Sequence, residues 1–278
     1  MARITVRKGD QHLDHNDYAL PPLPADYSPI FIGGLHRSGT TLMRRLLASH
    51  SHIACGPESN LFRDNKLARI HAYLRTEWLA GLDARYEVNP QVVDQTLARL
   101  IHAVVMPYCQ KRGKQRWAEK TPKNILFIDT LFMLFPKAQF IHMIRDPRDV
   151  FCSVREKAAK TTPHWATTTP QQLAESWCRR INCGLPWRER PERYYEVRYE
   201  ELVHQPEATM QAVLAFLGEP WDVRMLDNHT IFTTSVGRWH KELSAAEVAG
   251  IEEVAGDMMH KLGYLLAPAS SKIPTLNM

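Results

Sequence analysis

The feature that most constrains the fold is the stretch GGLHRSGTTLMRRLL, residues 33–47. It follows a short apolar run, PIFIGG, and leads into leucines and a methionine at helical spacing. That order predicts a buried strand, a glycine turn and a helix. Such a turn directs consecutive backbone N–H groups and the positive end of the helix at an anion. Gly34 and Gly39 hold the glycine positions of the phosphate-loop pattern G-x-x-x-x-G-K-[ST], and Thr41 holds the hydroxyl position. Thr40 stands where the lysine belongs. In nucleoside triphosphate enzymes that lysine neutralises the β- and γ-phosphates. Its loss argues against γ-phosphoryl chemistry and leaves a loop suited to a compact tetrahedral anion. Chance glycines in an ordinary strand–helix turn are the alternative.

The rest of the chain alternates in the same way. Strands are expected at HIAC (52–55), QRWAEKTP (115–122), AQFIHMI (138–144) and RYYEVRYEEL (193–202). Helices are expected over 58–82, 90–113, 123–136, 172–184, 206–218 and 244–264, with Ser244 capping the last. Strands separated by helices imply an α/β, P-loop-like, three-layer fold: a mostly parallel central sheet flanked by helices. The 278 residues suit one such domain over 29–278, preceded by a surface arm at 1–28. The Thr/Pro-rich segment 160–170 has no periodicity and reads as a candidate lid.

Several classes are excluded. A net charge of +5 suits an anionic ligand, but without a dense Lys/Arg block there is no nucleic-acid footprint. The most apolar stretch, Ile125–Phe135, is too short to span a bilayer and contains Asp129. The first twenty residues lack the apolar core of a signal peptide. Five cysteines without a C-x-x-C pair read as thiols in a reducing compartment rather than as a disulfide framework or metal site, which places the chain in the cytoplasm.

A second anion site is expected at FIHMIRDPRDVFCSVREK. Arg145 falls at the carboxyl end of a strand, where open α/β sheets bind ligands, and Ser153 two turns into the next helix. The arginine fork and the hydroxyl can converge on a phosphate. Arg148 and Asp149 are expected either at this site or as a surface ion pair.

The pair RSGTT and RDPRDVFCS resembles the 5′-phosphosulfate loop and 3′-phosphate motif of the sulfotransferases that use 3′-phosphoadenosine 5′-phosphosulfate (PAPS). Within that superfamily the chain is most similar to the tyrosylprotein branch, through CGPES, EKTP, LFPKAQFIHMIRD, YEELVHQPE, FLG, VGRW and KLGY over about residues 29–264. The resemblance implies sulfuryl transfer to a hydroxyl or phenol by in-line displacement, releasing 3′,5′-ADP, with no metal. The acceptor is left open among peptidyl tyrosine, a small phenol, a sugar and a lipid, and so is a homodimer. Glu58 matches the family's general base, with His36 as the competing base. Helix-end charge complementarity is the structural alternative for Glu58. Lys120 matches the lysine beside the transferred group; its alternative is an exposed loop lysine. Arg37, Ser38, Gly39, Thr40 and Thr41 are implied for the 5′-phosphosulfate, and Arg145 and Ser153 for the 3′-phosphate. Tyr199 is implied beside the adenosine, or as plain strand packing. Ser235, Gly237, Arg238, Trp239 and Lys241 are implied for a closing loop. Two positions depart from the branch: Asn60 replaces an acceptor-contacting arginine, and Ala118 replaces the cysteine that would bridge to Cys55. The competing readings are a P-loop nucleoside or nucleotide kinase and a non-catalytic module that binds 3′,5′-bisphosphate nucleotides.

Overall fold

Five short strands rich in apolar residues pair side by side: β1 (Ile30–Gly34), β2 (Ile53–Cys55), β3 (Arg116–Lys120), β4 (Gln139–Ile144) and β5 (Tyr194–Arg198). All four pairings are parallel, in the order β2-β3-β1-β4-β5. The structure is a computed structural model and describes residues 20–62, 65–86, 89–161, 166–227, 229 and 231–266. Most of the expected arm (1–19) and the middle of the Thr/Pro segment (162–165) lie outside the described residues.

The helices, in chain order, are α1 (Thr40–Ser49), α2 (Lys66–Tyr73), α3 (Leu79–Tyr86), α4 (Gln91–Gln110), α5 (Ile128–Leu134), α6 (Pro147–Lys160), α7 (Pro170–Gly184), α8 (Tyr199–His204), α9 (Pro206–Leu217), α10 (Arg224–Asp227), α11 (Trp239–Glu242) and α12 (Ala245–Lys261). Parallel strands need crossovers, and the helices that make them cover both faces. Met43, Leu46 and Leu47 of α1 with Met210, Val213 and Leu214 of α9 bury one face. Ala98 and Ile101 of α4 with Ile128 and Leu131 of α5 bury the other. Trp177, Ile251 and Met259 join α7 and α12 to Val150 of α6 in a third cluster.

Four expectations change. The segment expected to be helical from 58 is not so at 58–62, and α2 begins only at Lys66, so Glu58 is not at a helix start. The α2–α3 stretch passes through a π-helical turn at Leu74–Trp78. The helix expected from 123 divides into a 3₁₀ turn, Pro122–Phe127, and α5, because Pro122 sets the tight first turn. The last strand ends at Arg198, and Tyr199 opens α8 instead of packing within the strand. Ser244 caps α12 as expected, in a reciprocal capping box with Glu247.

Candidate active site

The carboxyl ends of the strands converge on one edge. β1 runs into the glycine loop, and its backbone explains the residue choice. Gly34 lies at φ 144°, and a Cβ there would stand 2.4 Å from the Met143 carbonyl oxygen. Gly39, the N-cap of α1, lies at φ 91° with no side-chain cap. Arg37 occupies the left-handed region at φ 68° although it is not glycine, a strain expected of a site residue. Ser38 is 1% exposed, and its buried Oγ has no hydrogen-bond partner among the described residues.

The two predicted anion motifs meet here. Arg37 Nε donates to Ser153 Oγ at 2.9 Å. Arg145, buried just past β4, donates from Nη1 to the Arg37 carbonyl at 3.0 Å and from Nη2 to the Ser235 carbonyl. Its guanidinium lies 4.4 Å from the Tyr199 ring centre, and the Tyr199 hydroxyl bonds Ser235 Oγ at 2.7 Å. A cavity of about 170 Å³ is lined by Arg37, Thr40, Thr41, Arg145, Ser153 and Tyr199. Burial, then the neighbouring Arg145, pulls the Arg37 guanidinium below its ordinary pKa. Two cations held together against their repulsion, a buried Arg145 Nε without a partner, and the orphan Ser38 Oγ all fit an anionic ligand.

The expected closing loop is only partly at this cavity. Ser235 is in place. Arg238 instead pairs with Glu156 at 2.8 Å and Glu242 at 2.7 Å, and Lys241 is exposed on α11 with no contact to the cavity. Gly237 and Trp239 contribute backbone: their N–H groups donate to Asp149 at 2.7 and 3.1 Å. Of the two alternatives for Arg148 and Asp149, the surface pair does not hold. Both are buried, Arg148 pairs with Asp146 and Glu252, and its guanidinium sits 3.8 Å from the Trp239 ring centre. Burial raises the Asp149 carboxyl pKa above the ordinary value, against the two N–H bonds that favour its charge.

On the opposite flank of β1, Lys120 is the last residue of β3 and 4% exposed, so it is not a loop lysine. Its ammonium pairs with the Glu58 carboxylate, whose side chain is 40% exposed. Asn60, at φ 52°, donates from Nδ2 to the Glu58 carbonyl at 3.4 Å. Burial pulls the His36 imidazole down to about 4, with Arg180, Arg37 and Lys123 adding to the effect. At neutral pH His36 is therefore uncharged and a weak base, while Glu58 is a water-accessible carboxylate anchored by a lysine.

Sequence reasoning missed Glu119, a 2%-exposed carboxylate in β3. It also missed the hydrogen-bonded row His142–Tyr194–Glu196, in which Tyr194 Oη is 2.6 Å from His142 Nδ1 and 2.9 Å from Glu196. A carboxylate within a strand run is the signal that marks both, Glu119 in β3 and Glu196 in β5.

The profile described as "Sulfotransferase family" matches residues 29–223. The chain belongs to the sulfotransferase family. Its named relatives include protein-tyrosine sulfotransferases. A Caenorhabditis briggsae protein, provisionally named a protein-tyrosine sulfotransferase, is 31% identical over 79% of this chain and 75% of its own length. Protein-tyrosine sulfotransferase 1 of Danio rerio is 29% identical over 76% of this chain but 59% of its own length, and the match covers 39% of the Drosophila melanogaster enzyme. The chain thus spans about half the length of several named relatives. Among solved structures, the sulfotransferase domain of the Synechococcus PCC 7002 olefin synthase superposes with a TM-score of 0.57 at 22% identity, over 84% of this chain and 96% of that one. That likeness bears on the fold alone. Among the described residues no helix is long and apolar enough to cross a membrane.

Proposed function

We propose that this sulfotransferase modifies a phenolic hydroxyl, with peptidyl tyrosine the acceptor favoured by its named relatives, and that Glu58 is its general base. The carrying observation is the Lys120–Glu58 pair standing across β1 from the Arg37–Ser153–Arg145 cluster. One flank suits the acceptor proton, the other the nucleotide.

Glu58 takes the proton of the acceptor hydroxyl while that oxygen forms a bond to sulfur. The bond from sulfur to the bridging phosphate oxygen breaks in the same displacement. Lys120 and Arg37 stabilise the charge gathering on that oxygen, which leaves with 3′,5′-ADP. The loop amides of residues 38–41 suit the 5′-phosphate, Arg145 and Ser153 the 3′-phosphate, and Tyr199 the adenosine. The residues described supply the needed cations from side chains, so the reading calls for no metal.

Two further readings accompany this one. Cys55 pairs in register with Ala118, so no thiol faces it across the sheet, which supports a reducing, cytoplasmic setting. Asn60 in place of an arginine supports a weaker preference for acidic acceptors than in the tyrosylprotein branch.

Incubation with PAPS and tyrosine peptides, small phenols or glycans, read by mass spectrometry, should show one added SO₃ on the acceptor. ATP-dependent phosphorylation, or 3′,5′-ADP binding without turnover on any of them, would overturn the proposal. Glu58→Gln should lower kcat by about 10²–10⁴-fold with 3′,5′-ADP affinity retained. An unchanged kcat would move the base to His36.

A further inference from the structure

The geometry points to Glu119 as a positioning residue that holds the base loop in place from beneath. The inference rests on the reading of Glu58 as the base. Glu119 is buried in β3, immediately before Lys120. Its Oε1 accepts from the Ser59 backbone N–H at 3.1 Å, the Ser59 hydroxyl at 2.9 Å and the Thr121 hydroxyl at 2.6 Å. Its Oε2 accepts from Asn124 Nδ2, and the same amide nitrogen donates to the Ile32 carbonyl of β1 at 3.3 Å. Among the described residues no cation pairs with this carboxylate. Four donors nearly saturate its lone pairs, which is how a buried charge is tolerated without a counter-ion.

The placement matters more than the count. Two successive residues of β3 hold two successive residues of the loop: Lys120 holds Glu58, and Glu119 holds Ser59. The Ser59 N–H belongs to the peptide that carries the Glu58 carbonyl, so Glu119 fixes the main chain from which the Glu58 side chain projects. Asn60, in the left-handed region directly afterwards, turns the chain away. Glu58 through Asn60 are all exposed, and no helix or strand runs through them. Lys120 holds the tip of the Glu58 side chain, and Glu119 is what ties the main chain beneath it to β3. The Asn124 bond to Ile32 ties the same carboxylate to the strand that carries the glycine loop. Glu119 therefore sets Glu58 relative to both Lys120 and the anion cradle.

The test is a double-mutant cycle on the full chain with PAPS and a sulfated acceptor readout: wild type, Glu119→Gln, Glu58→Gln and the double variant. Glu119→Gln should lower kcat by about tenfold to a hundredfold, the scale of a misplaced catalytic group, with 3′,5′-ADP affinity unchanged. In the Glu58→Gln background the same substitution should change kcat by less than about twofold, because the group it positions has gone. A residue that only stabilises the fold would lower kcat equally in both backgrounds, and that result overturns the inference. So does an unchanged kcat in a folded Glu119→Gln enzyme. Should that variant lack a cooperative melt, Ser59→Ala reaches the same contact from the exposed side. It should lower kcat several-fold in the wild-type background only, and no fall overturns the proposal. Loss of activity in Glu58→Gln with full activity in Glu119→Gln rejects the anchor alone. Full activity in Glu58→Gln rejects the base itself, and the anchor with it.

Discussion

Replacing Gly39 by alanine tests whether Tyr199 and the glycine loop form one rigid nucleotide grip. Gly39 sits at φ 91°, where an L residue is disfavoured by about 1–2 kcal/mol. An added Cβ would lie 2.4 Å from Tyr199 Cδ2 and 3.0 Å from its Cε2. Overpacking of this kind costs about 1–3 kcal/mol, so the two effects together reach roughly 2–5 kcal/mol. The tyrosine ring can yield only by leaving the Arg145 guanidinium 4.4 Å away and by stretching its 2.7 Å bond to Ser235. The substitution should therefore weaken 3′,5′-ADP by about tenfold or more in isothermal titration calorimetry. The melting temperature should drop by roughly 2–4 °C per kcal/mol of strain left in the free protein. Gly81→Ala in α3 is the control, since its added Cβ meets nothing within 4 Å. There the same change should stabilise by about 0.5–1 kcal/mol, because glycine is a poor helix residue. Wild-type affinity and melting in Gly39→Ala would show that Tyr199 is not fixed against the loop, and the grip described above would be wrong.

Arg145→Ala should reduce 3′,5′-ADP affinity by about 10–10²-fold, the worth of hydrogen bonds to a charged group, while the enzyme still folds; calorimetry with a parallel melt checks both. Asp149→Asn removes the negative acceptor of the Gly237 and Trp239 amides, and should raise the 3′,5′-ADP off-rate in stopped-flow measurements. An off-rate equal to wild type would mean that this anchor does not govern release. His36 and His142 are both held near 4 by burial, against an ordinary 6.5. Above about pH 6.5 they are neutral in folded and unfolded chains alike and cost nothing. Between pH 6.5 and 4 the unfolded chain takes up protons that the folded one refuses, so stability should fall on acidification, by up to about 3 kcal/mol for each group once below 4. Denaturant melts across this range should show the loss, and His36→Gln should remove close to half of it.

The sequence made the strands and the anion loop legible because both are local. PIFIGG and AQFIHMI are apolar runs that no helix period explains, and glycine at 34 and 39 answers backbone angles that the neighbouring chain imposes. Arg145 and Ser153 were legible for a similar reason: strand end and first helical turns keep fixed offsets. What escaped notice depends on contacts between distant segments. Nothing near residue 119 says that its carboxylate will meet Ser59, sixty residues earlier. Arg148 and Asp149 resemble a surface pair when read as neighbours. Besides Asp146 beside Arg148, their partners are Glu252 and the amides of 237 and 239, about ninety or more residues away. The strong amphipathic pattern after Glu58 suggests a helix starting there. The structure instead leaves 58–62 without a helix: Ser59 bonds Glu119 of β3, and Asn60 stands at φ 52° in the left-handed region, which a helix does not admit.

The central place of β1 in the sheet has an evolutionary side. Lys120 and the Glu58 loop sit on the β3–β2 flank, and Arg145 and Tyr199 on the β4–β5 flank, with the strand of the glycine loop between them. Insertions or replacements after β2 and β3 can therefore reshape what is sulfated without disturbing what donates the sulfuryl group. A lineage carrying this scaffold can diversify its acceptors by drifting on one side of a single strand, while selection holds the other side still.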